Sequence, residues 1–412
     1  MRHNGETMDE TAMMFTYDCN MTVTLALAAL LLILGHVIKR FVPLLRKFFI
    51  PAPVIGGIIF SIITLIGHQA HAFSFSFDSS LKDLLMTAFF TSVGFTASFK
   101  MLVKGGVAVA VFLATAVLFI CVQNFIGIGL ANAFSLNPLI GLATGSIPLS
   151  GGHGTSAAFG PLLEQNGLNA GLSIAIASAT FGLVAGSMLG GPIGKRLLSR
   201  YKLHPASASS DAQYTDSDTA LDAVKTVKEN TLFSACAWLI LAMGAGYFIN
   251  AFLQDHGIIL PAYLMPMLVA CVFRNYCDLT HTDIPLHTIS MLGSLGLQFF
   301  LAMALMTMRL WELADLAIPL ITILLVQTVA MGFYAYFVTF KVMGGNYDAA
   351  VIAVGHCGFG LGATPNAMAN MDTFTGANGE SPKAFFVVPL VGSLFIDFFN
   401  ALIITTFMQF VV

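Results

Sequence analysis

Ser146-Ile147-Pro148-Leu149-Ser150-Gly151-Gly152-His153-Gly154-Thr155-Ser156 lies inside one apolar stretch, and Gly355-His356-Cys357-Gly358-Phe359-Gly360-Leu361-Gly362-Ala363-Thr364-Pro365-Asn366 lies inside another. Glycine at this density, with a proline in each stretch, breaks a helix. The surroundings nevertheless exclude water. Of 412 residues, 57% are hydrophobic and 9% charged, whereas a soluble domain carries charge on roughly a quarter of its residues. Irregular backbone at membrane depth is tolerated only where it is buried in protein or lines a watery cavity. Both stretches are therefore expected to be re-entrant hairpins, over about 138–166 and 346–372.

The flanking sequence reads as ten full helical spans, because the apolar blocks approach the ~20 residues a helix needs to cross the hydrocarbon. They fall at about 21–38, 52–68, 84–103, 107–133 and 169–195, then 231–252, 259–274, 287–307, 314–340 and 384–410. The halves share landmarks in the same order: Ile50-Pro51-Ala52 and Leu260-Pro261-Ala262, Phe89-Phe90 and Phe299-Phe300, Gln123 and Gln327, Gly152-His153 and Gly355-His356. Such self-similarity signals a duplication. Five spans per copy forces opposite orientations, and the basic residues agree. With both termini extracytoplasmic, only Arg2, Lys82 and Arg309 of the 18 Lys and Arg face outward, as the positive-inside rule requires.

The expected fold is thus an all-α polytopic membrane protein of two inverted-topology five-helix repeats, each with a re-entrant hairpin. Residues 1–20 form an extracytoplasmic tail, 21–198 the first repeat, 199–230 a polar cytoplasmic linker and 231–412 the second repeat. No cleaved leader is expected, since Glu6, Asp9, Glu10 and Asp18 precede the first span where a basic region would stand. No basic run suggests nucleic acid. The six cysteines show no metal-ligand spacing, and no nucleophile–base or metal motif points to an enzyme.

Inverted repeats with a broken segment in each half point to a secondary transporter with its site at mid-membrane. Helix N-termini at the breaks offer N–H groups and partial positive charge to a carboxylate, while unwound carbonyls offer oxygen to a hard cation. The first turn contributes Ser150, Gly151, Gly152, His153, Gly154 and Thr155; the second contributes His356, Gly358, Gly360, Gly362, Thr364 and Asn366. Glycines let backbone approach a ligand closely, although small residues also serve helix packing in membranes. Each histidine can instead satisfy a backbone group, and Gln123 and Gln327 suit interhelical bonding as well as a path lining.

Asp397 is the most informative residue. A carboxylate deep in a span costs ~2.5–3.5 kcal/mol on insertion scales and is functional by default. Asn400 follows one turn later on the same face. No Lys or Arg lies at comparable depth, so the partner is a cation from solution: sodium, a proton or a substrate ammonium group. A protonated, hydrogen-bonded Asp is the structural alternative.

At Leu149–Thr155, Gly355–Pro365 and Phe395-Ile396-Asp397, and again at Phe300–Met306 and Leu310-Trp311-Glu312-Leu313-Ala314, the chain resembles the bacterial sodium/glutamate symporter family. The resemblance runs from about Phe15 to the C-terminus. It implies sodium-coupled import of L-glutamate across the bacterial inner membrane, with Na+ as coupling ion and no other cofactor, by a homodimer working through elevator-like alternating access. The hairpin N–H groups with Ser150, Thr155, Thr364 and Asn366 are expected to hold the carboxylates, and Asp397 the ammonium group or a sodium ion, with Asn400 among the substrate-binding residues. Sodium sits near Gly358, Gly360, Thr364 and Asp397. The sequence departs from the family pattern at Ser156, where Gly is commoner, and at Asn366, where Thr is; both departures bear on substrate preference. A sodium- or proton-coupled dicarboxylate transporter is the alternative.

Overall fold

The computed structural model describes residues 15–48, 50–70, 72–205, 229–256, 260–308 and 316–411. Most of the expected linker, most of the N-terminal tail and the Leu310–Ala314 motif lie outside these residues. The first half runs β1 (Phe15–Cys19), α1 (Met21–Phe41), α2 (Pro43–Lys47), α3 (Ala52–Gln69), β2 (Phe73–Phe77), α4 (Ser80–Thr96), α5 (Phe99–Lys104) and α6 (Gly106–Ala133). It continues through three pieces, α7 (Leu139–Ala143), α8 (Ser146–Leu149) and α9 (Gly152–Gln165), to the long α10 (Gly171–Tyr201). The second half has α11 (Glu229–Asp255), α12 (Leu264–Thr280), α13 (Leu286–Met306) and α14 (Ala317–Tyr334). A π-helical stretch at Ala335–Thr339 leads into α15 (Phe340–Val342), followed by α16 (Tyr347–Leu361), α17 (Thr364–Asn378), α18 (Pro382–Leu394) and α19 (Ile396–Val411).

Among the described residues, seven helices are long and apolar enough to cross a bilayer, or eight if α18 and α19 count as one bent span. The chain is a helical, multi-pass membrane protein. The expected spans at 84–103 and 259–274 appear as α4 and α12, each 17 residues long and thus marginal for unaided crossing. The last expected span is not one helix: α18 and α19 meet at Phe395 with a 45° bend. A short parallel ribbon pairs Phe15–Cys19 with Phe73–Phe77. Its alternating Phe73, Phe75 and Phe77 are aromatic neighbours, and Phe75 and Phe77 both meet Phe60 of α3.

Helices assemble into two groups. In the first, α1, α3, α4, α11, α12 and α13 pack together; in the second, α6, α7–α10 and α14–α19 do. Contacts exchange between halves: α1 on α3 is matched by α11 on α12, α3 on α13 by α12 on α4, and α6 on α18 by α14 on α10. Without a hydrophobic drive between helices in lipid, close packing rests on small residues. A methyl group placed on Gly35 would lie 2.0 Å from the Ala52 carbonyl oxygen, and one on Gly94 would lie 2.1 Å from that of Met267. On α10, Gly182, Gly186 and Gly190 meet α16 carbonyls of Leu361, Gly358, Cys357 and Val354, and Gly194 meets the side chains of Val354 and Phe374.

Both helical hairpins are clasped where their arms are furthest from the tips. Asn137 donates to the Gly167 carbonyl at 3.2 Å, and Glu164 accepts from the Leu172 N–H at 3.0 Å. In the second hairpin, the Tyr347 hydroxyl donates to the Gly379 carbonyl, and Ser381 donates to Asp348 at 2.6 Å. Asn346 caps α16 by accepting from the Ala349 N–H at 3.0 Å, after Gly344 and Gly345 turn the chain at φ +110° and +64°.

Candidate functional site

Three chain breaks converge. The first hairpin breaks at Ser150-Gly151, where Gly152 takes φ +65° and opens α9. The second breaks at Gly362-Ala363, between α16 and α17, and the third at Phe395. A methyl group on Gly152 would stand 3.4 Å from the Gly362 carbonyl oxygen, one on Gly151 2.7 Å from Asn400 Nδ2, and one on Gly392 2.9 Å from Thr364 Oγ1. Tip therefore meets tip, and each tip meets one side of the broken last span. Gly152-His153 opens an arm after its turn, whereas Gly355-His356 lies midway along the arm before its turn, so that landmark pair is not structurally equivalent.

Each break leaves backbone groups without helical partners. The Gly154 N–H makes no backbone hydrogen bond to the turn before α9 among the described residues. The Gly362 carbonyl likewise accepts none. Three helix N-termini, each equivalent to roughly half a positive charge, thus face a common region beside the single carboxylate of Asp397 in the first turn of α19. Asp397 is half-buried, and no lysine or arginine among the described residues pairs with it. The dipoles slightly outweigh the carboxylate, which leaves room for an anionic group together with a cation. Oxygen from Asp397, Thr364 and the Gly362 carbonyl suits a hard cation.

Polar side chains tie the breaks to their surroundings. Ser150 donates to Gln123 Oε1 at 2.6 Å, and Gln123 Nε2 donates to the Gly360 carbonyl at 2.7 Å. Asn400 donates to the Ser146 carbonyl at 3.0 Å, while Asn124 accepts from the Ser146 N–H at 2.9 Å. Asn400 Oδ1 and Asn366 Oδ1 are buried without a partner. Thr155 and Thr364 make no side-chain hydrogen bond among the described residues, which leaves their hydroxyls free beside the tips.

Other predicted residues point elsewhere. His153 contacts Thr180 at 3.0 Å; the Thr180 proton goes to the Ile176 carbonyl, so His153 Nε2 donates. His356 is enclosed by the rings of Phe112, Phe119, Tyr334 and Phe359 and pairs through Nδ1 with Thr339 at 2.8 Å. Gly360 meets Met331 and His356, and Gly358 packs on Ala367. Gly154 faces Leu297 and Phe89 of the first helix group. The two departures from the family pattern both turn toward α10. Ser156 donates to the Gly152 carbonyl at 2.8 Å and reaches that of Ala175 at 3.2 Å, and Asn366 donates to that of Leu183 at 2.8 Å.

Sequence reasoning did not find the break at Phe395, or Asn124 and Ser146 beneath the first tip. Pro389 and Gly392-Ser393, just before Asp397, were the available signal.

The sodium/glutamate symporter family matches residues 17–380, a stretch that ends before α18. The sodium/glutamate symporter of Escherichia coli strain K12 is 41% identical over 388 residues, covering 94% of this chain and 96% of that one. Its counterpart in Shigella flexneri has the same identity and coverage. That of Haemophilus influenzae is 40% identical over 391 residues, with the same shares covered. With a match of this extent around glycine turns that meet at one point, the chain belongs to the sodium/glutamate symporter family.

Proposed function

We propose that this protein imports L-glutamate together with sodium ions across the bacterial inner membrane, and that the three converging breaks are its binding site. The observation that carries the reading is the meeting of the tips at Gly151-Gly152, Gly362 and Thr364 with Gly392 and Asn400, which flank Asp397 in the broken last span. The relatives' names supply the substrates, and the geometry supplies a way to hold them.

In this reading the N-termini of α9 and α17, with Thr155 and Thr364, take the two carboxylates of glutamate, and Asp397 takes its ammonium group or a sodium ion. Ser150, Gly151, Asn366 and Asn400 shape the pocket by holding the tips. Sodium uses the Gly362 and Leu361 carbonyls near Gly360. A cation that organises the unwound turn makes the following glutamate bind better, and glutamate reciprocally tightens sodium. A dicarboxylate would leave Asp397 opposed by no ammonium group, which favours the amino acid.

The exchange of packing partners between halves supports two inverted repeats, 21–198 and 231–412, each with a re-entrant hairpin, and the placement of Lys and Arg supports both termini being extracytoplasmic. The second helix group carries the whole site and meets the first through largely apolar faces such as Phe89, Phe90, Tyr263, Phe159 and Leu297. That division suits an elevator in which the second group moves against the first, working as a homodimer.

Purified protein in liposomes tests the reading. An inward sodium gradient is expected to drive saturable glutamate accumulation that unlabelled glutamate competes for better than malate or citrate does. Accumulation independent of sodium, or a preference for citrate or malate, overturns it.

A further inference from the structure

Gln123 is a fully buried amide in the middle of α6, yet its side chain makes no bond to its own helix. Its Nε2 donates to the Gly360 carbonyl in the last turn of α16, which ends at Leu361. Its Oε1 accepts from the Ser150 hydroxyl, at the residue where α8 ends. One planar amide thus joins the last turn before the break in each hairpin, and the two hairpins belong to different halves of the chain. Its counterpart Gln327 does not repeat the arrangement: it donates to the Gln123 backbone carbonyl at 2.7 Å, and its Oε1 is buried without a partner. Gln327 therefore pins the α6 backbone from which Gln123 reaches out, and the bridge is made once.

We infer that Gln123 is a positioning residue that couples the two turns, so that occupancy of one is transmitted to the other. The inference rests on the site proposed above. A cation drawing on carbonyls beside Gly360 shifts the acceptor of Gln123 Nε2. The rigid amide passes that shift to Ser150, which directly precedes the N-terminus of α9. Linkage between ligands needs such a physical connection with two arrangements, and couplings of 5–150-fold are usual. Gln123 touches neither ligand in this scheme; it sets how strongly sodium alters glutamate binding.

The test uses the full-length protein in liposomes, with glutamate KM measured at low and at saturating sodium for wild type, Gln123→Met, Ser150→Ala and the double variant. Wild type is expected to lower KM by the order of tenfold as sodium rises. Gln123→Met is expected to retain less than about threefold of that effect, with Vmax at saturation changed much less. The double variant is expected to be no worse than Gln123→Met in this ratio, because both substitutions cut the same bridge. An unchanged ratio in Gln123→Met, a loss confined to Vmax, or additive effects in the double variant overturns the inference. A second measurement does not need transport. Amide hydrogen exchange in Gln123→Met is expected to speed up at both 150–154 and 360–366, and acceleration at one turn alone overturns the bridge. A wild type without sodium-driven uptake overturns the symport reading instead, and the exchange experiment still judges the bridge.

Discussion

Gly182→Ala adds one methyl group where α10 crosses the end of α16. That methyl would stand 2.1 Å from the Leu361 carbonyl oxygen, whereas ordinary contact begins at 3.4 Å. The helices must part locally by about 1.3 Å, and the atom in the way is backbone, which cannot rotate aside. Overpacking of this kind costs about 1–3 kcal/mol of stability. The larger consequence is positional, since Leu361 adjoins Gly362 and the second tip moves with it. A hydrogen bond of ordinary length stretched by that distance is no longer a bond. Losing one bond to a charged carboxylate, worth about 1.5–3 kcal/mol, raises glutamate KM roughly 10–100-fold. The assay is the concentration dependence of sodium-driven uptake in liposomes, with thermal stability of the purified protein measured in parallel. Gly191→Ala is the control, because on the same helix a methyl group there meets nothing within 4 Å. Equal KM values for the two variants would refute the claim that the α10 glycine stripe sets the position of the second tip.

Three further substitutions separate roles. Asp397→Asn is expected to abolish sodium-driven accumulation while leaving thermal stability at or above wild type, since it removes an unpaired charge from the membrane interior; unfolding of the variant would show that the carboxylate is structural. His356→Phe keeps a ring among Phe112, Phe119, Tyr334 and Phe359 and loses the Thr339 bond, so it should cost about 1 kcal/mol in stability with glutamate KM within about threefold of wild type; a large KM change would return His356 to the ligand. Thr96 of α4 shares its hydroxyl proton between its own Val93 carbonyl at 2.7 Å and, across the two helix groups, the Leu394 carbonyl at 3.1 Å, where a bond between helices is worth about 0.6 kcal/mol on average in membranes. Thr96→Val should therefore change the maximal uptake rate by up to about threefold without changing substrate preference, and a switched preference would show that Thr96 faces the ligand.

The two glycine turns were legible because their determinants are local. Gly362 and Pro365 end one helix and start the next, although Gly355, Gly358 and Gly360 stay inside α16, and Ser150-Gly151-Gly152 makes the other break. The break at Phe395 was not, for a physical reason. Nothing in Leu394-Phe395-Ile396 forbids a helix, and the expected span ran straight through. The carbonyl of Leu394 is instead satisfied by Thr96, almost three hundred residues earlier in the chain. Pro389 and Gly392 weaken the helix nearby, but a contact that distant fixes where it breaks. Gln123 and Gln327 show the same limit: the sequence places both in apolar helices, but which carbonyl lies opposite each is a property of the packed bundle. His356 and Asn366 looked like ligand groups because they sit in a glycine turn. A side chain's direction depends on which helix covers it, and here α6 and α14 cover one while α10 covers the other. The Phe73-Ser74-Phe75-Ser76-Phe77 ribbon, by contrast, carries a plain period of two and could have been read as a strand.

A cryo-EM map of the protein with glutamate and sodium bound tests the central claim most directly. Glutamate density should touch the α9 and α17 N-termini together and lie within hydrogen-bond reach of Asp397 or of a cation that Asp397 holds. Density confined to one hairpin, or placed between the helix groups away from Gly152 and Gly362, would contradict the account.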